Sequence, residues 1–380
     1  MKRFICLFLT FAALLTSSAY AETPSAGITP SVAAPSAVLM EKRTGEVLYE
    51  KKAHDHYFPA SVTKVMTLLL IAEDIESGKI SLDDTVTASK RAASFGGSCV
   101  YLAEGEQMTV SDMLKCIAVV SANDCAVAMA EHLSGSEELF VQRMNERASA
   151  LGLEDTHFTN CTGLFDDNNH YTSAYDVAVM SRELLRHEFI KEYTTIWMDS
   201  IRNGEFGLSS TNRLVYWYPG CTGLKTGYTS TAKYCISATA ERDGVEYIAV
   251  IMHSETADSR NADAQALLDY AFANYTLCSL RSGTPLPAIP VELGRAASVQ
   301  AVYGGPEYAL TAKTGAEPEY TLDIESSAAA PVHAGDRLGT LTVRSGGKVV
   351  ASVPVLAGED VPRLGVFGIV ALLAGRMVGL

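Results

Sequence analysis

The sequence predicts an α/β domain whose sheet is assembled from its two ends and covered by helices, followed by a small all-β module. Three observations lead there. Strand-patterned runs stand near both ends of residues 36 to 280. Apolar residues recur at helical spacing between them. After Cys278, short Val, Leu and Thr runs alternate with Gly and Pro turns.

Taken in order, residues 1 to 21 read as a secretory signal peptide. Lys2 and Arg3 precede an apolar run from Phe4 to Leu15, and Ala19-Tyr20-Ala21 supplies the small-x-small cleavage pattern. Residues 22 to 35, rich in Pro, Ser, Thr and Ala, read as a flexible leader. The domain spanning 36 to 280 then opens with a hairpin, residues 37 to 41 returning through Thr44-Gly45 as 46 to 50. The helix expected over 61 to 78 is apolar nearly all round, so it belongs in the middle of a domain. Further helices are expected over 112 to 120 (with Thr109 or Ser111 as cap), 124 to 133, 137 to 151 and 175 to 186. The period then becomes extended. Runs 224 to 229, 234 to 241 and 246 to 253 read as strands, and a helix over 261 to 275 closes the domain.

A linker-like stretch rich in Pro follows, and the all-β module occupies 288 to 358, with strands expected over 297 to 302, 308 to 312, 320 to 324, 337 to 344 and 348 to 355. Residues 361 to 380 are apolar except for Arg363 and Arg376, and read as a membrane-associating segment. The stretch from Leu364 onward is at the lower limit for a span, so its depth stays open.

Composition narrows the partners. Lysine and arginine total 30 against 44 acidic residues, a net charge of −14, and no basic stripe offsets it, which excludes nucleic acid. Eight cysteines occur, Cys6 in the signal and seven beyond it, with no C-x-x-C pair to suggest a zinc knuckle or a thioredoxin-type site. Spacing alone does not choose disulfide partners.

Three short motifs carry the chemistry. Ser61 and Lys64, in P-A-S-V-T-K, are three apart and share a helix face, so the amine can reach the hydroxyl and take its proton. By itself this pattern is equally a helix N-cap at Ser61. Ser121-Ala122-Asn123 offers a hydroxyl for proton relay and an amide to position a substrate backbone, or else a cap by Asn123 on the helix starting at Asp124. Lys225-Thr226-Gly227 reads as an edge strand that pairs with an extended substrate. Lys225 and Thr226 would meet a carboxylate and Gly227 would allow close approach; otherwise Lys225 faces solvent and Gly227 marks a bulge.

In that order the motifs match the set shared by penicillin-binding proteins and class A β-lactamases, with S-A-N standing where that set has S-D-N. The segments P-A-S-V-T-K-V-M-T, V-S-A-N-D-C-A-V-A-M-A-E and T-G-L-K-T-G-Y-T, with N-C-T-G-L-F-D-D-N-N-H-Y-T-S-A-Y-D from Asn160 to Asp176, resemble the low-molecular-mass penicillin-binding proteins, the serine-type D-alanyl-D-alanine carboxypeptidases of peptidase family S11. That resemblance implies a β-lactamase/transpeptidase-like catalytic domain, an antiparallel sheet covered by helices, with a small C-terminal all-β domain. It implies that Ser61 attacks the carbonyl between the last two D-alanines of a peptidoglycan stem peptide, that Lys64 takes its proton, and that Ser121 passes one to the departing D-alanine. Asn123, Lys225, Thr226 and Gly227 would bind substrate, and the backbone N–H groups of Ser61 and Tyr228 would form the oxyanion hole. β-Lactams would acylate Ser61. Burial and a neighbouring cation, Lys225, would lower the Lys64 pKa. No cofactor or metal is expected, and the site would face outward on the bacterial cytoplasmic membrane, held there through the C-terminus.

A D,D-endopeptidase that cuts crosslinks breaks the same type of bond. A β-lactamase would need an acid after Asn123, for which Asp155, Asp166 and Asp167 are candidates, although the E-x-x-L-N pattern is absent. A non-enzymatic wall-binding protein would show decay of a motif, and none is decayed. His170 lacks the G-x-S-x-G of a triad and reads, with Asp176, as a stabiliser of the flanking loop. His54 and His56 would share one side of a strand but lack a third metal ligand nearby. Trp197, Tyr216, Trp217 and Tyr218 either wall the groove or fill core.

Overall fold

The computed structural model describes residues 30–313 and 315–378. The expected signal peptide and most of the expected leader therefore lie outside the described residues. The chain divides into two units, one comprising Ala26–Ser279 with Tyr308–Lys313, the other formed by the C-terminal remainder.

In the first unit the hairpin β1 (Ser36–Glu41) and β2 (Val47–Lys51) leads through a 3-10 turn (Ala60–Thr63) into helix α1 (Lys64–Glu76). Two short strands, β3 (Thr85–Thr87) and β4 (Gln107–Thr109), flank α2 (Lys90–Ala93) and pair with each other. Helices α3 (Val110–Val119), α4 (Asn123–Ser134), α5 (Glu137–Ala150), α6 (Ala174–Leu184) and α7 (Lys191–Thr194) follow, then the hairpin β5 (Met198–Ile201) and β6 (Phe206–Ser209) and the single turn α8 (Leu214–Trp217). Strands β7 (Cys221–Thr229), β8 (Lys233–Arg242) and β9 (Val245–Ser254) and helix α9 (Ala257–Asn274) complete it, with β10 (Tyr275–Ser279) at its end.

The main sheet has the order β2-β1-β9-β8-β7, antiparallel throughout, so the two ends of the domain do build one sheet. Its two faces can be read from alternation along β1. Val38 and Met40 join the cluster under α1, whereas Ala37 and Leu39 join the cluster under α9. Successive side chains of a strand point to opposite faces, and apolar residues at both parities mean a sheet covered on both sides. Helix α1 is buried from Lys64 through Ala72, in keeping with its all-round apolar sequence. Strand β7, which carries Lys225-Thr226-Gly227, is the edge of the sheet.

Several elements differ from expectation for identifiable reasons. The helix expected from residue 61 begins as a 3-10 turn and becomes α-helical only at Lys64. The hairpins β3/β4 and β5/β6 have strands of three or four residues, too short for a period-2 pattern to register. Tyr308–Ala312, read from its pattern with the terminal module, pairs antiparallel with β10 in the first unit.

The second unit contains a six-stranded sheet. Counting Ala288–Glu292 as β11, Ser298–Tyr303 as β12, Tyr308–Ala312 as β13, Glu319–Ile324 as β14, Ala328–Ala329 as β15, Arg337–Ser345 as β16 and Lys348–Ala357 as β17, its order is β14-β16-β17-β12-β11-β15. Strand β11 was not expected, because Pro290 interrupts its pattern, and it sits next to the two-residue edge strand β15. A final helix, α10 (Val366–Val378), carries the exposed apolar side chains Val366, Phe367 and Val370. Among the described residues, no helix is long and apolar enough to cross a membrane.

Candidate active site

Ser61 lies inside the 3-10 turn. The N-cap position is Pro59 and no side chain caps the turn, so the capping explanation for Ser61 does not apply. One helical turn on, the Lys64 amine is fully buried and sits 3.0 Å from Ser61 Oγ. It also donates to Asn123 Oδ1 at 2.6 Å and to the Thr162 carbonyl at 2.8 Å. Burial pushes the Lys64 pKa down to about 7, against the opposing pull of Cys161, Cys99 and Asp124. The expected neighbouring-cation effect falls on the other lysine. Lys225, 1% exposed, is lowered well below its ordinary value by burial first and then by Lys64 and Arg260.

Asn123 is likewise no cap: it is the first residue of α4, behind Ala122, and its side chain turns inward. Besides accepting from Lys64, its amide donates to the Gly96 carbonyl at 2.8 Å, while its backbone N–H reaches the Ser98 carbonyl at 2.7 Å. Asp124 accepts from the N–H groups of Val100 and Leu102 and holds the same loop. Ser121 has φ of +62°, and its buried Oγ has no hydrogen-bond partner among the described residues. A left-handed serine with an unpaired hydroxyl is strain of the kind that collects at functional sites.

Strand β7 closes the other side. A Cβ on Gly227 would stand 2.8 Å from the Pro59 carbonyl oxygen and 3.1 Å from Ser61 N, so only glycine lets the strand lie against the Ser61 turn. No register shift falls at Gly227, which removes the bulge explanation. Lys225 Nζ donates to the Thr226 carbonyl at 2.8 Å, and Thr226 Oγ1 is 2.7 Å from Thr211 Oγ1. Tyr228, next along, is 56% exposed and packs on Tyr234 with ring centroids 4.4 Å apart.

Some residues of this arrangement were invisible to sequence reasoning. The Thr162 carbonyl belongs to a turn organised by Asn160 Oδ1, which accepts from the N–H groups of Thr162 and Gly163. Gly163, at φ +72°, lets that turn press on the Ser61 turn, since a Cβ there would fall 1.8 Å from the Ala60 carbonyl oxygen. Backbone acceptors leave no residue-type signal, although Asn160 and Gly163 stand within the Asn160 to Asp176 segment. Arg260 is buried like Lys225 and donates to Asn261 Oδ1; it feels the charge of Asp258, but among the described residues neither basic group forms a salt bridge. Two buried basic side chains with no directly bonded carboxylate suit an anionic group brought by a ligand.

The remaining candidates sort themselves. His170 Nδ1 accepts from the Thr159 N–H at 3.0 Å, which leaves Nε2–H to donate to Thr63 Oγ1 at 2.8 Å. Burial lowers its pKa to about 4, so it is a neutral brace between the loop and the Ser61 turn. Asp176, in the first turn of α6, accepts from Asp155 N–H and Thr156 Oγ1 and so ties that segment to the helix. Asp155 is engaged by His54 and His56, Asp166 by Thr229, and Asp167 by the Asn169 N–H; none of the three bonds to Ser61 or Lys64. Tyr216 and Trp217 are exposed while Tyr218 is buried, so core filling accounts for only the last of them. The seven described cysteines are all unpaired.

A half-buried serine beside a buried, low-pKa lysine, on an antiparallel sheet covered by helices, is the arrangement of an acyl-transferring serine hydrolase that uses lysine as its base. Known proteins specify which. Residues 21–256 match the family model described as D-alanyl-D-alanine carboxypeptidase, and residues 279–363 match the penicillin-binding protein 5 C-terminal domain. The D-alanyl-D-alanine carboxypeptidase DacF of Bacillus subtilis is 42% identical, with 96% of each chain covered. DacA of Haemophilus influenzae is 31% identical over 96% of this chain and 94% of its own. The solved structure of penicillin binding protein 5 from H. influenzae superposes with a TM-score of 0.77 at 28% identity, covering 89% of this chain and all of that one. The chain belongs to the D-alanyl-D-alanine carboxypeptidase family, and it is a serine-type carboxypeptidase acting on D-Ala-D-Ala ends.

Proposed function

We propose that Ser61 is the nucleophile of this carboxypeptidase, that Lys64 is its base, and that the groove bounded by Ser121, Asn123 and β7 holds a stem pentapeptide. The observation that carries the reading is the bonding of the Lys64 amine. A neutral amine has two N–H bonds and one lone pair. Asn123 Oδ1 and the Thr162 carbonyl take the two donors, which leaves the lone pair for the Ser61 hydroxyl 3.0 Å away. A pKa of about 7 makes that neutral form abundant at working pH.

In the forward step Ser61 Oγ attacks the penultimate D-alanine carbonyl as its proton moves to Lys64 Nζ. The backbone N–H groups of Ser61 and Tyr228 receive the developing oxyanion. The scissile C–N bond then breaks, and the Ser121 hydroxyl, unpaired and buried, relays a proton to the departing amine. Thr226 and Lys225, with Arg260 behind them, take the terminal carboxylate. Water hydrolyses the resulting ester, and a β-lactam would form a stable ester on the same oxygen. A pentapeptide ending in two D-alanines tests this beside a crosslinked dimer. Release of free D-alanine from the pentapeptide is expected, and cleavage of the dimer alone would instead make the protein an endopeptidase.

The same reading places the protein outside the cytoplasm, after removal of residues 1 to 21, with a leader over 22 to 35 and residues 361 to 380 associating with the outer face of the cytoplasmic membrane. Supporting the last point, Phe367 is 93% exposed and Val366 75% on a helix of 13 residues, about 20 Å long at 1.5 Å per residue. That falls short of the ~30 Å hydrocarbon core, and the exposed apolar side chains suit a helix lying in the interface. Because Val361 is buried and pairs with Val332, and Arg363 pairs with Gly294, the test deletes 365 to 380 only: this should move the protein from the membrane pellet to the supernatant on sedimentation while leaving peptidase activity intact, and unchanged sedimentation would reject the anchor.

A further inference from the structure

Beyond the groove, a cavity of about 410 Å³ opens at the end of β7 that follows Lys225-Thr226-Gly227. It is tied to the groove at two places. Tyr57 and Phe58 line it and run directly into Pro59 and the Ser61 turn, and Thr231 lines it two residues past the end of β7. Asn168 lines it from the loop that Asp166 fastens to Thr229 at 3.0 Å.

The position is that of a defined substrate residue. With the terminal carboxylate at Lys225 and Thr226 and the acyl carbonyl near Ser61 and Tyr228, an extended peptide on edge strand β7 must run antiparallel to it. At ~3.3 Å per residue, the residue before the penultimate D-alanine then lies beside 229 to 231, at the mouth of the cavity. We propose that this cavity receives the side chain of the third stem-peptide residue, and that it fits a diamino acid which carries its own carboxylate. This rests on the carboxypeptidase reading above.

The walls state the chemistry. Tyr57, Phe58 and Tyr171 offer aromatic surface suited to a methylene chain. The polar groups are the imidazoles of His56 and His253, the Asn168 amide and the Thr231 hydroxyl, with no carboxylate, lysine or arginine among the lining residues. A lone ammonium would enter without a counter-charge. A head group with both ammonium and carboxylate brings its own, and its carboxylate finds N–H donors on His253 and Asn168.

His253 is the feature that sets this cavity apart from a surface hollow. Tyr234 faces Ser254 while Ile236 faces Ile251, so two residues of β9, Met252 and His253, oppose the single Cys235 of β8. This bulge leaves His253 at φ +60°, with its ring against Tyr57 at 5.4 Å between centroids. Bulges of this kind re-aim a side chain next to active sites, and a left-handed histidine is held only where its surroundings impose it. On the opposite wall His56 is stacked on Tyr171 at 4.4 Å and braced by Asp155 at 3.2 Å.

The test compares kcat/KM on three pentapeptides, L-Ala-γ-D-Glu-X-D-Ala-D-Ala, with X as meso-diaminopimelate, L-lysine or L-norleucine. The unmodified protein should favour the diaminopimelate peptide over each of the others by about 10-fold or more. His253→Gly, where glycine accepts the positive φ, and separately Asn168→Ala should shrink that preference to about threefold or less. Both variants should keep the parent rate of acylation by benzylpenicillin, which has no third-residue side chain. Equal kcat/KM on the three peptides, a preference for lysine or norleucine, or a preference that survives both substitutions would overturn the inference. No D-alanine release from any peptide would overturn the carboxypeptidase reading itself, and this inference with it.

Discussion

Ser61→Ala should abolish covalent labelling by penicillin and lower D-alanine release by roughly 10⁶-fold, the scale seen when an acyl-transfer nucleophile is removed. The fold should be indifferent to the change. Ser61 sits on a half-buried turn where its hydroxyl caps nothing, and its side-chain partner is Lys64. Loss of one methylene-sized polar group there should keep stability within about 1 kcal/mol of the parent. Melting temperature and the labelling reaction should therefore separate cleanly. Labelling retained at a near-normal rate in Ser61→Ala would move the acyl group to another residue.

Lys64→Met should slow acylation by roughly 10³ to 10⁴-fold, the upper end of what a general base contributes, because among the described residues no other titratable side chain is bonded to Ser61 Oγ. The pH dependence makes the assignment specific. The neutral amine is the reactive form, so the acylation rate should rise with pH and level off above about 7, and fall about tenfold per unit below it. In Lys64→Met that limb should vanish, leaving a low rate without it. Lys64→Arg should not rescue activity, since a guanidinium stays protonated throughout and cannot accept the serine proton. A limb that persists in Lys64→Met would assign the titration to some other group. Removing the amine also leaves Asn123 Oδ1 and the Thr162 carbonyl without their donor, a loss of about 1–3 kcal/mol for each buried acceptor. Part of this is offset because a buried amine no longer has to be desolvated.

Much of this arrangement could be read before any coordinates, and the parts that could not share a physical cause. The contact between residues 61 and 64 follows from helical spacing, and it survives even though the chain there is a 3-10 turn, because i and i+3 are close in either geometry. The sheet built from both ends of the domain was legible because β1 and β9 carry apolar residues at both parities, and β8 an apolar alternation through Tyr234, Ile236, Ala238 and Ala240, over enough length to register. By contrast, the carbonyls of Gly96 and Thr162 that orient Asn123 and Lys64 belong to loops, and any residue can present a carbonyl. The direction of the lysine–lysine effect was also out of reach. Burial depresses both amines, and their mutual repulsion shows in the Lys225 pKa, a division that depends on depths a sequence does not encode locally. Tyr308–Ala312 went to the wrong unit for a similar reason: its pattern says strand, and only tertiary pairing says which strand it joins.

The central claim is that one oxygen, Ser61 Oγ, carries the acyl group in a groove shared with Lys64, Asn123 and β7. Peptide mapping by mass spectrometry after benzylpenicillin treatment tests it most directly. The account predicts a single penicilloyl mass increment on the peptide containing Ser61, fragmenting to that residue, and none in Ser61→Ala. An increment on Ser121 or on any peptide lacking Ser61, or none at all in the unmodified protein, would contradict it.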